Sequence, residues 1–266
     1  MAAKRFARIN ANETEGASMT ETSNTRPTRQ TRSQETELRD RLESDLAAVI
    51  VQELWQSGAG GFYIILASEV EGLQLDGNLG GMTHPAVSSW LRAEIGDRWR
   101  GHGPGMLLVD GQNCSPERLT AKAIHETAHI ATSIELFSAP SQATNAALTN
   151  LVATPPRSWP AHRGASRWNG HGQDFIRAAC HIGFRMAGRG HAVCPALLMN
   201  WSGMGYSSGW KAYFKALGSE LESRESEAIT AIANSPYPPG FVDLWRSDIA
   251  DVSERATCAF PEDEPV

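Results

Sequence analysis

The chain has 266 residues, 41% of them hydrophobic and 20% charged, and a net charge of −6. This balance suits a globular protein with a sizeable core, and the acidic surplus argues against a general affinity for nucleic acid or anionic membranes. No stretch approaches the roughly 18 apolar residues of a membrane span, and no apolar run of signal-peptide length follows Lys4 and Arg5, so the expected location is cytoplasmic.

Residues 1–35 are rich in Thr, Ser, Asn, Gln, Glu and Arg and are expected to form a disordered tail, because they cannot bury enough surface to offset their ordering entropy. From Thr36 to Trp55, Leu38, Leu42, Leu46, Val49, Ile50 and Leu54 recur at helical spacing, and the glycines at 58–61 end that helix. Phe62–Ala67 reads as a buried strand. Residues 73–81 are turn-rich. Thr83–Ile95 is expected to be a helix with Thr83 as N-cap and Pro85 in its first turn, and Met106–Asp110 a second strand. A third helix starts at Ser115-Pro116-Glu117 and is expected to run to about Phe137, before Pro140. Residues 138–169, with Pro155, Pro156 and Pro160, read as an irregular insertion or lid-like loop. Another helix follows His171, with Phe175, Ile176, Ala179, Ile182, Gly183 and Met186 as its buried stripe. Helices are expected at Trp210–Leu217, Ser219–Ala233 and Phe241–Ala256. The fold class is therefore α+β and mainly helical: a tail (1–35), a core domain (36–208) and a helical extension with an acidic end (209–266). The four cysteines, Cys114, Cys180, Cys194 and Cys258, form no C-x-x-C pair and read as buried free thiols.

The most informative stretch is His125-Glu126-Thr127-Ala128-His129. Four helical residues advance about 400°, so His125 and His129 stand one above the other, roughly 40° apart. Two imidazoles on one face bind one zinc ion, and Glu126 beside them reaches a zinc-activated water as general base without being a ligand. A catalytic zinc takes a third protein ligand. Residues 130–136 lack the Gly and His a metzincin would show. A helical glutamate would have to be Glu220, Glu222, Glu225 or Glu227, in a helix expected to be solvated. His171 is the best candidate, since glycines around it allow close approach and Phe175 anchors the helix it opens; His162 and His191 are the alternatives. His181 is expected to pack or hydrogen-bond, and His84 and His102 to lie at the surface. Met199 and Met204 read as core residues.

With His125-Glu126-x-x-His129 followed by His171-Gly172-x-x-Phe175, the segment from about 110 to 186 resembles the SprT-like zinc metallopeptidases, without the Cys-based zinc ribbon common among them. The resemblance implies a zincin-like core, Zn2+ held by His125, His129 and His171, Glu126 as general base, and a protein or peptide substrate. It also implies an edge strand that pairs with extended substrate, expected at Met106–Asp110, and Tyr206 is a conceivable oxyanion partner. Two non-peptidase readings stand beside it: a zinc site that only staples the core, and a DNA-associated module. The second draws on the segment Arg157–Arg189, which holds Arg157, Arg163, Arg167, Arg177, Arg185 and Arg189 against one acid, Asp174, with Trp159 and Trp168 interleaved.

Overall fold

A computed structural model describes residues 29–54, 62–70, 81–84, 89–100, 105–108, 114–132, 173–194, 198, 210–233 and 235–248. They form a mainly helical α+β fold in which most helices gather around one face of a short sheet and a short helix meets the other.

Helix α1 spans Arg29–Leu54, so it starts ahead of Thr36 and takes in the end of the segment expected to be disordered. No glycine or proline falls between Thr28 and Ser57, and the polar residues there include good helix formers such as Gln, Arg and Glu. Leu42, Leu46, Val49 and Ile50 turn its apolar stripe into the core. Polar residues on and beside the same face are also used. Glu43 accepts hydrogen bonds from the Ile64 N–H (2.8 Å) and the Arg98 guanidinium, and Arg39 pairs with Glu69.

Strand β1 (Tyr63–Leu66) runs parallel to β3 (Gly105–Leu108), and β2 (Gly81–His84) runs antiparallel to β3 on its other side. Ile64 lies opposite Met106 and Leu66 opposite Leu108. Alternation divides the sheet between two clusters: Ile64, Leu66, Met106 and Leu108 face the main core, while Tyr63, Ile65 and Leu107 meet Ile95 and Trp99. Two expectations give way here. Residues 81–84 are strand, so the helix expected from Thr83 does not begin there, and α2 is described over Ser89–Ile95. The strand is held by a ladder to a segment more than twenty residues away in sequence, which no local periodicity reveals. The strand expected to lie at the edge, β3, is instead central, in the order β1-β3-β2.

Helix α3 is Pro116–Thr132 and helix α4 is Gln173–Gly188. Ser115 caps α3 as expected: its Oγ accepts from the Arg118 N–H (3.3 Å) and its carbonyl from the Leu119 N–H (3.0 Å). Helix α5 (Trp210–Ser223) is kinked at Gly218, the expected break; α6 is Ile229–Ala233, and α7 covers 241–248. Tyr213, Leu217, Leu221, Ile229, Ile232 and Phe241 belong to the same cluster as the apolar residues of α3 and α4, so the region expected as an extension shares their core. Among the described residues no helix is long and apolar enough to cross a membrane.

Helix α4 is the centre of the arrangement. Every residue from Phe175 to Ala187 is buried, including Arg177, His181 and Arg185, because α1, α3, α5 and α6 all pack around it. A buried guanidinium has to be paired. Arg177 donates to Glu220 Oε1 from Nε (2.9 Å) and Nη2 (2.7 Å), and to the carbonyls of Ser235 (2.8 Å) and Pro236 (3.0 Å). His181 Nε2 donates to the same carboxylate oxygen (3.2 Å), and Arg185 donates to the carbonyls of Arg224 (3.0 Å) and Glu227 (2.6 Å). Glu220 therefore belongs to the interior, not to the solvated face expected for it. At the far end of α4, Asp45 of α1 accepts from His191 (2.7 Å) and Arg189 (3.0 Å).

Removing the Glu220 carboxylate would leave Arg177, which is 0% exposed, as an uncompensated buried charge. Glu220→Ala should therefore cost about 3–5 kcal/mol in denaturant unfolding. His181 supplies a pH signature. Burial first, then the charges of Arg185 and Arg177, lower its pKa from 6.5 to about 3. Below pH 6.5 the unfolded chain takes up a proton that the folded chain refuses, so stability is full above 6.5 and falls as the pH drops toward 3. The loss should approach about 1.4 kcal/mol per pH unit within that window, and His181→Gln should flatten this limb of the stability curve.

Candidate metal centre

His125 and His129 lie on α3 with ring centroids 5.0 Å apart and planes at 76°. Both rings are partly buried, and both meet one further ring. Phe175, in the first turn of α4, stands with its centroid 4.8 Å from His125 and 4.5 Å from His129. It is buried, as expected of the residue that anchors this helix, and it forms an apolar wall along the imidazole pair. Glu126 follows His125 on α3 and is only 8% exposed.

One hydrogen bond orients His125. His125 Nδ1 lies 3.1 Å from the carbonyl oxygen of Leu198. A carbonyl can only accept, so Nδ1 carries the hydrogen, and Nε2 is the lone-pair nitrogen of the neutral ring. That pattern, a backbone carbonyl holding one ring nitrogen so that the other meets a metal, is the usual outer support of a ligand histidine. Sequence reasoning did not find Leu198, and it had no means to: the acceptor is a main-chain atom 73 residues away, and every residue type carries the same carbonyl.

The remaining sequence candidates divide cleanly. His171 lies outside the described residues, two positions ahead of Gln173, as do His102, His162, Trp159, Trp168, Met199, Met204 and Tyr206. His84 ends β2, and its side chain is not among those described. His181 hydrogen-bonds Glu220, the packing role expected of it, and His191 is engaged with Asp45. Among the described residues no group of three His, Cys, Asp or Glu converges as a metal cage; the imidazole pair is there, and the expected third ligand is beyond them. Of the arginines between 157 and 189, Arg177 and Arg185 are interior and Arg189 pairs with Asp45. Arg177 and Arg185 are thus unavailable for nucleic-acid contact, Arg189 is exposed, and Arg157, Arg163 and Arg167 lie outside the described residues. Cys114, Cys180 and Cys194 are free thiols as expected; Cys180 is fully buried, and burial raises its pKa, whereas Cys114 and Cys194 are only partly buried.

In comparisons with known proteins, no protein-family model, no curated protein and no solved structure matches the chain. The chemistry of the site is therefore read from its own residues.

Phe175 offers a direct check on the packing of the two imidazoles. Phe175→Ala should cost about 3–5 kcal/mol of stability. Phe175→Leu should cost much less, yet it removes the ring current from both neighbours, so the ring proton resonances of His125 and His129 should move together. Unmoved resonances would mean that Phe175 does not line the pair in solution.

Proposed function

We propose that this chain is a zinc-dependent metallopeptidase with a zincin-like core, of the kind its resemblance to the SprT-like metallopeptidases implies. The observation that carries the reading is the hydrogen bond from His125 Nδ1 to the Leu198 carbonyl, made beside a second imidazole one helical turn along. It leaves His125 in the tautomer whose Nε2 binds zinc, and an i, i+4 pair of such rings is a two-point grip on one ion.

The donor set fits zinc. Neutral imidazole is a favoured ligand type, and three protein ligands leave a fourth position open for reaction. His125 and His129 supply two ligands. His171 supplies the third, from the same chain segment whose Phe175 touches both rings: two peptide units separate His171 from Gln173, a reach of about 7 Å at most. When bound, zinc contributes Lewis acidity toward a water and a substrate carbonyl. Glu126 acts as the base. Its carboxylate takes the proton from the attacking water and hands it to the departing amine, so one group serves both proton transfers. Its near-complete burial limits competition from bulk water for that proton.

Substrate pairing moves to another strand than the sequence suggested. Since β3 has neighbours on both sides, an extended peptide cannot add to it. Strand β2 is an edge of the described sheet and packs against α3, so we assign β-pairing with the substrate backbone to β2.

Purified protein should carry close to one zinc per chain, and it should cleave an unfolded protein substrate. Glu126→Gln should keep its zinc and lose activity by about 10²–10⁴-fold, while His171→Ala should bind zinc far more weakly. Full proteolysis by zinc-loaded Glu126→Gln would sink the mechanism. A wild type that binds no zinc would sink the whole reading.

A further inference from the structure

Helix α4 ends in a glycine cap. Gly190 has φ of 89°, the His191 N–H returns to the Met186 carbonyl and the Gly190 N–H to that of Ala187 (both 3.1 Å). The chain then turns back toward α4, where Val193 and Leu198 are buried at 2% and 0% exposure. They meet α4 at Gly183. A Cβ built at Gly183 would stand 3.2 Å from Leu198 Cδ1, 3.5 Å from Val193 Cγ1 and 3.9 Å from Phe214 Cζ. Leu198 is also the residue whose carbonyl receives the hydrogen bond from His125. One residue thus touches the middle of α4 with its side chain and the metal-motif helix with its main chain.

We infer that Gly183 is a positioning residue for the metal centre: its missing side chain lets Leu198 seat deeply enough for the Leu198 carbonyl to hold His125 in its zinc-binding tautomer. The inference rests on the metallopeptidase reading for its metal, and on the packing for its geometry. A methyl group at Gly183 requires Leu198 to give by a few tenths of an ångström, while Val193 and Phe214 stay at ordinary contact distance. Leu198, Val193 and Phe214 are all buried, so none can swing into water to make room. We place the relief in a shift of Leu198, whose N–H is tied to the Cys194 carbonyl (3.2 Å). The Leu198 carbonyl moves with it. At 3.1 Å the contact with His125 is already near the long end of N–H···O bonds, so lengthening it by a few tenths of an ångström weakens its hold on the ring. Helix stability pulls the other way, because alanine is a better helix former than glycine in a helix interior. A purely structural role and a positioning role therefore predict different results.

The test compares wild type, Gly183→Ala, Leu198→Ala and the double variant, with zinc affinity measured by competition against a chelator. The His125 ring tautomer is read from nitrogen chemical shifts in the metal-free protein. Gly183→Ala should bind zinc about tenfold more weakly, the usual size of an outer-support loss, with the thermal midpoint of the metal-free protein little changed. Its His125 ring should lose the fixed Nδ1–H tautomer. Trimming Leu198 removes the clash, so the double variant should bind zinc as Leu198→Ala does. Wild-type affinity and an unchanged tautomer in Gly183→Ala would overturn the inference alone. If Gly183→Ala does not fold, the double variant decides: affinity clearly below that of Leu198→Ala would overturn it. Absence of zinc binding in the wild type would overturn the metal reading and this inference with it.

Discussion

The structure depends on the complete burial of α4. A helix covered on every side needs neighbours on every side, and α1, α3, α5 and α6 are those neighbours. The same helix carries Arg177, His181 and Arg185, so its surroundings must supply oxygen acceptors as well as apolar surface. They come from α5 and from the turns around α6: one carboxylate, Glu220, and a set of main-chain carbonyls. The basic residues that look like a surface stripe in the sequence are partly the fastening that holds residues 210–248 to the core.

That burial also shapes the candidate metal centre. One end of α4 presents Phe175 to the two imidazoles, and its middle presents Gly183 to Leu198, whose carbonyl orients His125. The motif helix contributes the two imidazoles, and α4 and Leu198 contribute the groups that contact them. A ligand histidine is only as well placed as its outer supports, since a free imidazole ring turns about two bonds and exchanges tautomers. The groups that contact the imidazoles are an aromatic ring and a backbone carbonyl, from Phe175 and Leu198.

Much of this was legible beforehand. The cap at Ser115, the helical phase of His125 and His129, the anchoring role of Phe175 and the break at Gly218 are local features, set by residues within one or two turns of each other. The strand at 81–84 was not legible, because its reason for being extended is a ladder to residues 105–108. Nor was the central position of β3, which depends on which strands arrive on either side. Glu220 looked solvated because its helix carries many charges, and only the approach of Arg177 makes that position interior.

The sequence by itself determined which atoms are available for chemistry: two imidazoles in helical register, a carboxylate beside them and a helix start that fixes their phase. These follow from covalent order and the 3.6-residue turn, which act over a few residues. Tertiary structure decided which tautomer His125 holds, which strand is an edge, and which charges are spent inside the fold. Those outcomes depend on contacts between segments distant in the chain, such as the carbonyl of Leu198 against the ring of His125. Nothing in the local alphabet of side chains encodes such a meeting, because the group that makes it is the backbone common to every residue.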